Sequence, residues 1–259
     1  IVSSGLIDIH VHMKGISPDA YGINAEMSSF PFGVVAVADA GALKGDKRFL
    51  EDLAVKNCVF LATGIDNNNA MLSHAEKMLG IYEDKAIGVK ICIDAEQCKV
   101  YDLNPLLQVL EFAEKHGLIV MVHSTGSPVK MAEIVKTLRK GDILSHAYHG
   151  GINNSMDDDF ECIFEGKRRG VIIDACMAGG VHTDFNVLKE AIKKGATPDT
   201  ISTDITCHSA YKRGGRYGMT MCMSILKDMG MSEEEIFKAV TREPARVLGK
   251  ENMWGSLKE

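Results

Sequence analysis

The chain has 259 residues, 46% hydrophobic and 25% charged, a length and balance that suit one large core in a soluble globular protein. Its 29 Lys and Arg against 35 Asp and Glu leave a formal charge of −6, which offers no broad basic surface to nucleic acid or to an anionic membrane. The seven cysteines form no CxxC pair and read as reduced core thiols, and no apolar run resembles a membrane span or a signal peptide, so a cytoplasmic protein is expected.

The first strand-like run, Gly5–His12, closes on His10-Val11-His12. Alternating residues of a strand face one side, so the two imidazoles can converge on one metal while Ile9 and Val11 face the other way. Further strand-like runs are Val34–Asp39, Cys58–Gly64, Ala86–Ile93, Leu118–Ser124, Asp142–Ala147, Gly170–Ala175 and Thr200–Ile205. Val34-Val35-Ala36-Val37 and Leu118-Ile119-Val120-Met121-Val122 are apolar throughout, as strands covered on both faces should be. Between the runs, helices are predicted over Arg48–Val55, Asn69–Leu79, Leu103–His116, Val129–Arg139, Asp157–Arg168 and Asp184–Lys194. Two more follow, Met219–Met229 and Ser232–Leu248, the second opened by a Ser232/Glu235 capping box. This alternation predicts an α/β fold, a (β/α)8 TIM barrel in one domain over residues 1–259, and the recurrence of His10, His12, Lys90, His123, His146 and Asp204 at its strand ends points to a catalytic barrel of the metal-dependent hydrolase type. A doubly wound open sheet is the competitor, but the chain lacks the G-x-G-x-x-G order of a dinucleotide site.

A barrel gathers side chains from separate strand ends at one face. His10 and His12 end the first run, Lys90 lies in the fourth, His123 and His146 mark the fifth and sixth, and Asp204 lies at the end of the eighth. Imidazole and carboxylate ligands suit zinc, with iron, cobalt and manganese as alternatives. A bare lysine inside an apolar strand is costly, and a protonated ammonium cannot ligate a metal. Carboxylation by carbon dioxide would turn Lys90 into a carbamate whose oxygens can bridge two cations; the bland alternative is an ion pair with Asp204 or Asp174.

These residues resemble the binuclear amidohydrolase superfamily across nearly the whole chain. Gly141-Asp142-Ile143-Leu144-Ser145-His146, Pro198–Asp204 and Val240–Gly249 are similar to its amidohydrolase/deacetylase, dihydroorotase-like branch. The resemblance implies two divalent metal ions. It places one on His10, His12 and Asp204 and the other on His123 and His146, with a carboxylated Lys90 as the bridge. It also implies an accessory β-sandwich flanking the barrel, expected to be largely absent from these residues. Two departures bear on substrate. His12-Met13-Lys14 lacks the arginine of dihydroorotases, and Met177 stands where the deacetylase-like branch often has a histidine, a role His182 is placed to take from the loop.

The expected activity is amide C–N hydrolysis by metal-bound hydroxide, deacylating a small N-acyl compound or cleaving a related ester, with Asp204 as general base and then acid. Substrate-binding candidates are His149, His182, His208, Tyr211 and Arg213, the last suited to an anionic substrate. The alternatives are a cyclic-amide hydrolase and a non-catalytic metal-stabilised binding protein. A small-molecule partner is expected, with no nucleic acid and no membrane, and the exposed helices of a barrel offer a surface for homo-oligomers.

Overall fold

The computed structural model describes residues 2–178, 182–212 and 218–257, with the backbone alone at 211 and 212. Seven parallel strands form one sheet in the order β1 (Leu6–Val11), β2 (Val34–Ala42), β3 (Lys56–Ala62), β6 (Ala86–Cys92), β7 (Ile119–His123), β8 (Ile143–Ser145) and β9 (Ile172–Asp174). A two-stranded hairpin, β4 (Ile65–Asp66) and β5 (Asn69–Ala70), lies outside it. The strands are rich in Val, Ile and Ala, and β1 and β2 are buried nearly end to end, as strands of a parallel sheet covered on both faces are.

Two apolar clusters of opposite side-chain parity show that the sheet is curled. One joins residues such as Val37, Val59, Val89, Val120 and Leu144 to the surrounding helices. The other joins Ile7, Ile9, Ala36, Ala38, Phe60, Met121 and Ile143 to one another, with Ala245 and Leu248 covering them. Strands β1 and β8 are far apart in the strand order, so their side chains meet only across a concave face. Gly88 serves this face: a Cβ there would come 2.5 Å from the Ile119 carbonyl oxygen and 2.7 Å from the Phe60 ring.

The predicted eighth strand takes a different form. Residues 200–205 lie between β9 and β1 through isolated bridges, Asp174 with Thr200 and Val11 with Ile205. Backbone amides complete the seam: Ala175 donates to Thr200 (3.0 Å), Met177 to Ser202 (2.8 Å), Asp204 to His10 (2.8 Å) and His12 to Ile205 (3.1 Å). Asp204 takes a left-handed conformation at φ 49°, which ends the extended geometry a ladder needs. The architecture is thus a curled, seven-stranded parallel half-barrel resembling a distorted TIM barrel, and not a fully closed eight-stranded one.

The helix α1 (Ala25–Ser29) has no counterpart among the predicted helices, whereas α2 (Lys47–Glu51), α3 (Leu72–Tyr82), α4 (Asn104–Lys115), α5 (Met131–Thr137), α6 (Glu161–Arg169), α7 (Phe185–Lys193), α8 (Met219–Asp228), α9 (Glu233–Val240) and α10 (Arg242–Val247) follow the predicted order with two corrections. The helix expected from Asn69 starts at Leu72, because Asn67 and Asn68, at φ 47° and 59°, turn the β4–β5 hairpin first. The helix expected over Ser232–Leu248 breaks into α9 and α10 at Thr241, whose φ of −132° and ψ of −78° leave helical space. The Ser232/Glu235 capping box opens α9 as expected.

Candidate metal centre

Parallel register carries the site residues to one end of the sheet: Ala62 pairs with Lys90, Cys92 with His123, His123 with Ser145, and Ser145 with Asp174. On β1 the alternation expected from sequence is interrupted. Ile7 and Ile9 join the inner cluster, Val11 joins the outer one, and the register shifts between Asp8 and Val11. The irregularity re-aims His10 into the site, a use of strand bulges common beside active sites. His10 and His12 then converge, their rings 5.6 Å apart.

Asp204 stands between them. Its Oδ1 lies 3.0 Å from His12 Nε2 and 3.4 Å from His10 Nε2, and Lys90 Nζ lies 3.2 Å from the same His10 nitrogen. The opposite nitrogen of each imidazole rests on a serine backed by a buried aspartate. His10 Nδ1 is 2.9 Å from Ser145 Oγ, which donates to Asp174 (3.3 Å). His12 Nδ1 is 3.0 Å from Ser17 Oγ, which donates to Asp39 (3.1 and 3.0 Å). With each hydroxyl proton engaged by a carboxylate, the serine oxygens accept from Nδ1–H, and both Nε2 lone pairs point toward Asp204. Two lone pairs and a carboxylate oxygen facing one another require a proton or a cation between them.

His146 enters from the end of β8. Its Nδ1 lies 3.2 Å from the Cys176 carbonyl oxygen, and its ring centroid lies 4.5 Å from that of His123 and 4.5 Å from that of His182. The His123 Nε2 is buried without a hydrogen-bond partner. Cys176 Sγ sits 2.9 Å from His10 Nδ1 and 3.8 Å from His146 Nε2. Ligand atoms of His10, His146, Cys176 and Asp204 all lie within 4.8 Å of one another, in a buried group able to hold a metal ion. Three of these four, His146 (φ 62°), Cys176 (φ 42°) and Asp204 (φ 49°), are left-handed non-glycine residues. Such strain costs about 1–3 kcal/mol per residue and tends to gather at functional sites.

Burial sets much of the electrostatics. It holds His10, His123 and His146 well below the ordinary imidazole pKa, as neutral rings able to ligate. Burial also lowers the Lys90 pKa and raises that of the Cys176 thiol well above its usual value. On Asp204 burial pushes upward, but with a proton on His12 Nε2 the hydrogen bond it makes and the charges of His12, His182 and Lys90 outweigh it and hold the carboxyl below its ordinary range. Asp39 and Asp174, behind the serines, are raised to about 6 by burial.

A cavity of about 310 Å³ opens over the cluster, lined by His10, His12, Lys90, His123, His146 and Asp204 together with His182 and His208. His208 meets Tyr21 edge-on at 5.9 Å. His149 is wholly buried, its Nδ1 accepting from the Gly151 amide at 3.2 Å. The Tyr211 side chain and Arg213 lie outside the described residues. Sequence reasoning missed Cys176, Ser17 and Tyr21 at this site. The one local signal for Cys176 was its place two residues beyond Asp174, past the end of β9.

No family model matches the chain. It is 27% identical over 273 residues to a deacetylase of Enterococcus faecalis, covering 94% of this chain and 71% of that protein. It is 24% identical over 270 residues to a deacetylase of Brucella anthropi, covering 95% of this chain and 66% of that protein. The chain therefore spans about two thirds of the length of these relatives. Among solved structures, a dihydroorotase superposes with a TM-score of 0.82 at 23% identity, over 98% of this chain and 72% of that one. An adenine deaminase does so with a TM-score of 0.85 at 22% identity, over 99% and 74%. At those identities the structures bear on the fold alone. Sheet, donor cluster and relatives together support a metal-dependent hydrolase. These likenesses support the amidohydrolase/deacetylase superfamily as the one this chain resembles. Among the described residues no helix is long and apolar enough to cross a membrane.

Proposed function

We propose that residues 1–259 form one catalytic unit that cleaves an amide C–N bond and deacylates a small N-acyl compound. The observation that carries this reading is the convergence of His10 Nε2, His12 Nε2 and the Asp204 carboxylate, three acceptors that a divalent cation would reconcile. The imidazole, carboxylate and thiol donors and the unpartnered Nε2 of His123 fit such ions, zinc foremost. His10, His12 and Asp204 would hold one ion, and His123 and His146 a second. Lys90, its pKa lowered by burial, would react as the free amine with carbon dioxide, losing a proton, and would serve both ions as a carbamate. Bound there, divalent cations supply Lewis-acid polarisation of a carbonyl and acidify water.

Asp204 is the proton carrier in this scheme. It stays ionised at neutral pH, lines the cavity, and would accept a proton from water and return it to the leaving nitrogen. The Ser145–Asp174 and Ser17–Asp39 pairs keep the two imidazoles aimed at it. The names of the two deacetylase relatives support an N-acyl substrate over a cyclic amide. Purified protein loaded with zinc, manganese or cobalt should release acetate from a panel of N-acetyl compounds. Ring opening of lactams and hydantoins without acetate release would replace deacylation by cyclic-amide hydrolysis. No turnover across amides, lactams and esters at full metal loading would leave a metal-stabilised binding protein.

A further inference from the structure

We infer that His182 is a metal ligand, which completes with His123 and His146 a three-imidazole position in the cavity. The inference rests on the reading that this cavity binds divalent cations.

The three rings form a tight group. His182 meets His123 edge-on, with centroids 4.8 Å apart at 83°, and stacks obliquely on His146 at 4.5 Å and 37°. His123 meets His146 at 4.5 Å and 72°. All three line the same cavity of about 310 Å³. Two of the rings have a nitrogen with a defined state, although Cys176 Sγ also approaches His146 Nε2 at 3.8 Å. His146 donates Nδ1–H to the Cys176 carbonyl, which leaves Nε2 as its lone-pair nitrogen. His123 is hydrogen-bonded to the Thr125 backbone, and its Nε2 is buried with nothing to bond.

The loop that carries His182 is pinned to the same place. Thr183 donates its hydroxyl to the Cys176 carbonyl (3.4 Å), the oxygen that also takes the His146 proton, and the Asp184 amide donates to the Tyr148 carbonyl (2.9 Å). One carbonyl thus fixes both His146 and the neighbour of His182. Ligand arithmetic supplies the need. Asp204 is committed to His10 and His12, and Lys90 Nζ leans on His10. The Lys90 carbamate would be shared between the two ions, so His123 and His146 are the ligands the second ion would have to itself, and His182 would bring these to three. His182 is the imidazole within reach of both.

The test compares wild-type protein with His182→Ala and His182→Phe, the second keeping a ring for packing while removing both nitrogens. Each is stripped with chelator and titrated with cobalt(II), following the visible ligand-field bands and measuring affinity against a competing indicator. Both variants should bind one cobalt at least ~10-fold more weakly, with an altered band pattern from the lost nitrogen donor, while the other ion keeps its wild-type affinity. His182→Phe binding cobalt with wild-type affinity and bands would overturn the assignment, as would a wild-type protein that takes up no cobalt. If His182 governs cobalt binding but the loaded wild type hydrolyses no amide, the ligand assignment stands and the activity proposed above fails.

Discussion

Ser17→Ala removes one oxygen atom, and its effect can be worked through before any measurement. Ser17 is fully buried; its hydroxyl oxygen lies 3.0 Å from His12 Nδ1 while its proton goes to Asp39. Without it, Asp39 keeps the Met13 amide at 2.7 Å and the Gly41 amide at 3.0 Å, so the carboxylate remains solvated by the fold. Stability should fall by only about 1 kcal/mol, the net value of one ordinary hydrogen bond. His12 loses more. Its Nδ1–H has no acceptor, the tautomer with the proton on Nε2 becomes competitive, and the ring is free to turn from Asp204. Loss of a partner behind a histidine ligand weakens metal binding by about 10–100-fold, or roughly 1.4–2.7 kcal/mol. Zinc affinity measured by chelator competition, beside a urea melt of the apoprotein, separates the two effects. An affinity within twofold of wild type would refute the relay, because His12 would then be oriented without Ser17.

Asp204→Asn should fold, bind metal more weakly and, assayed at full metal loading, turn over at least about a hundredfold more slowly; near-normal kcat would remove Asp204 from proton transfer. Lys90→Ala should lose metal occupancy and activity together, and short-chain carboxylates added with metal should restore part of both. A variant that keeps full occupancy and activity would exclude a Lys90 bridge. His149 has its pKa lowered to about 4 by burial, so the folded state resists protonation that the unfolded chain accepts near 6.5. Its contribution is present above pH 6.5 and lost as pH falls from there to 4, about 3 kcal/mol over the window. Urea midpoints of apo His149→Gln should therefore fall less steeply than wild type across that range, and parallel curves would contradict the assignment.

Most of the strand plan was legible because parallel strands write their burial directly into apolar runs: each of the seven sheet strands overlaps its predicted run. The ends of those runs also pointed to His10, His12, Lys90, His123, His146 and Asp204, which line one cavity. What was hidden depends on contacts between distant residues. Ser17 bonds Asp39, 22 positions away, and Ser145 bonds Asp174, 29 away, spacings that no local pattern encodes. Cys176 reaches His10 across 166 residues, and nothing in Ala175-Cys176-Met177 announces a left-handed backbone. The eighth run reads as a strand because Ile201 and Ile205 are apolar, yet its hydroxyls serve other ends. Thr200 and Ser202 bond Asp174, Thr203 bonds Asp8, and the backbone joins its neighbours only through bridges.

That seam makes the site a reporter of its own enclosure. Residues 200–205 are joined to β1 by two backbone bonds and the Thr203–Asp8 pair, and the same few residues bring Asp204 to the two histidines. Any excursion that lifts this segment from β1 takes Asp204 away from His10 and His12 in the same motion, so an ion held by those three would bind only the sutured form. Mass action then makes the cation a clasp: at a hundred times its dissociation constant it raises the cost of parting the seam by about 2.7 kcal/mol. Amide hydrogens of Asp204 and His12, slowed by metal far more than those of the β2–β3 ladder, would register the closing of that clasp.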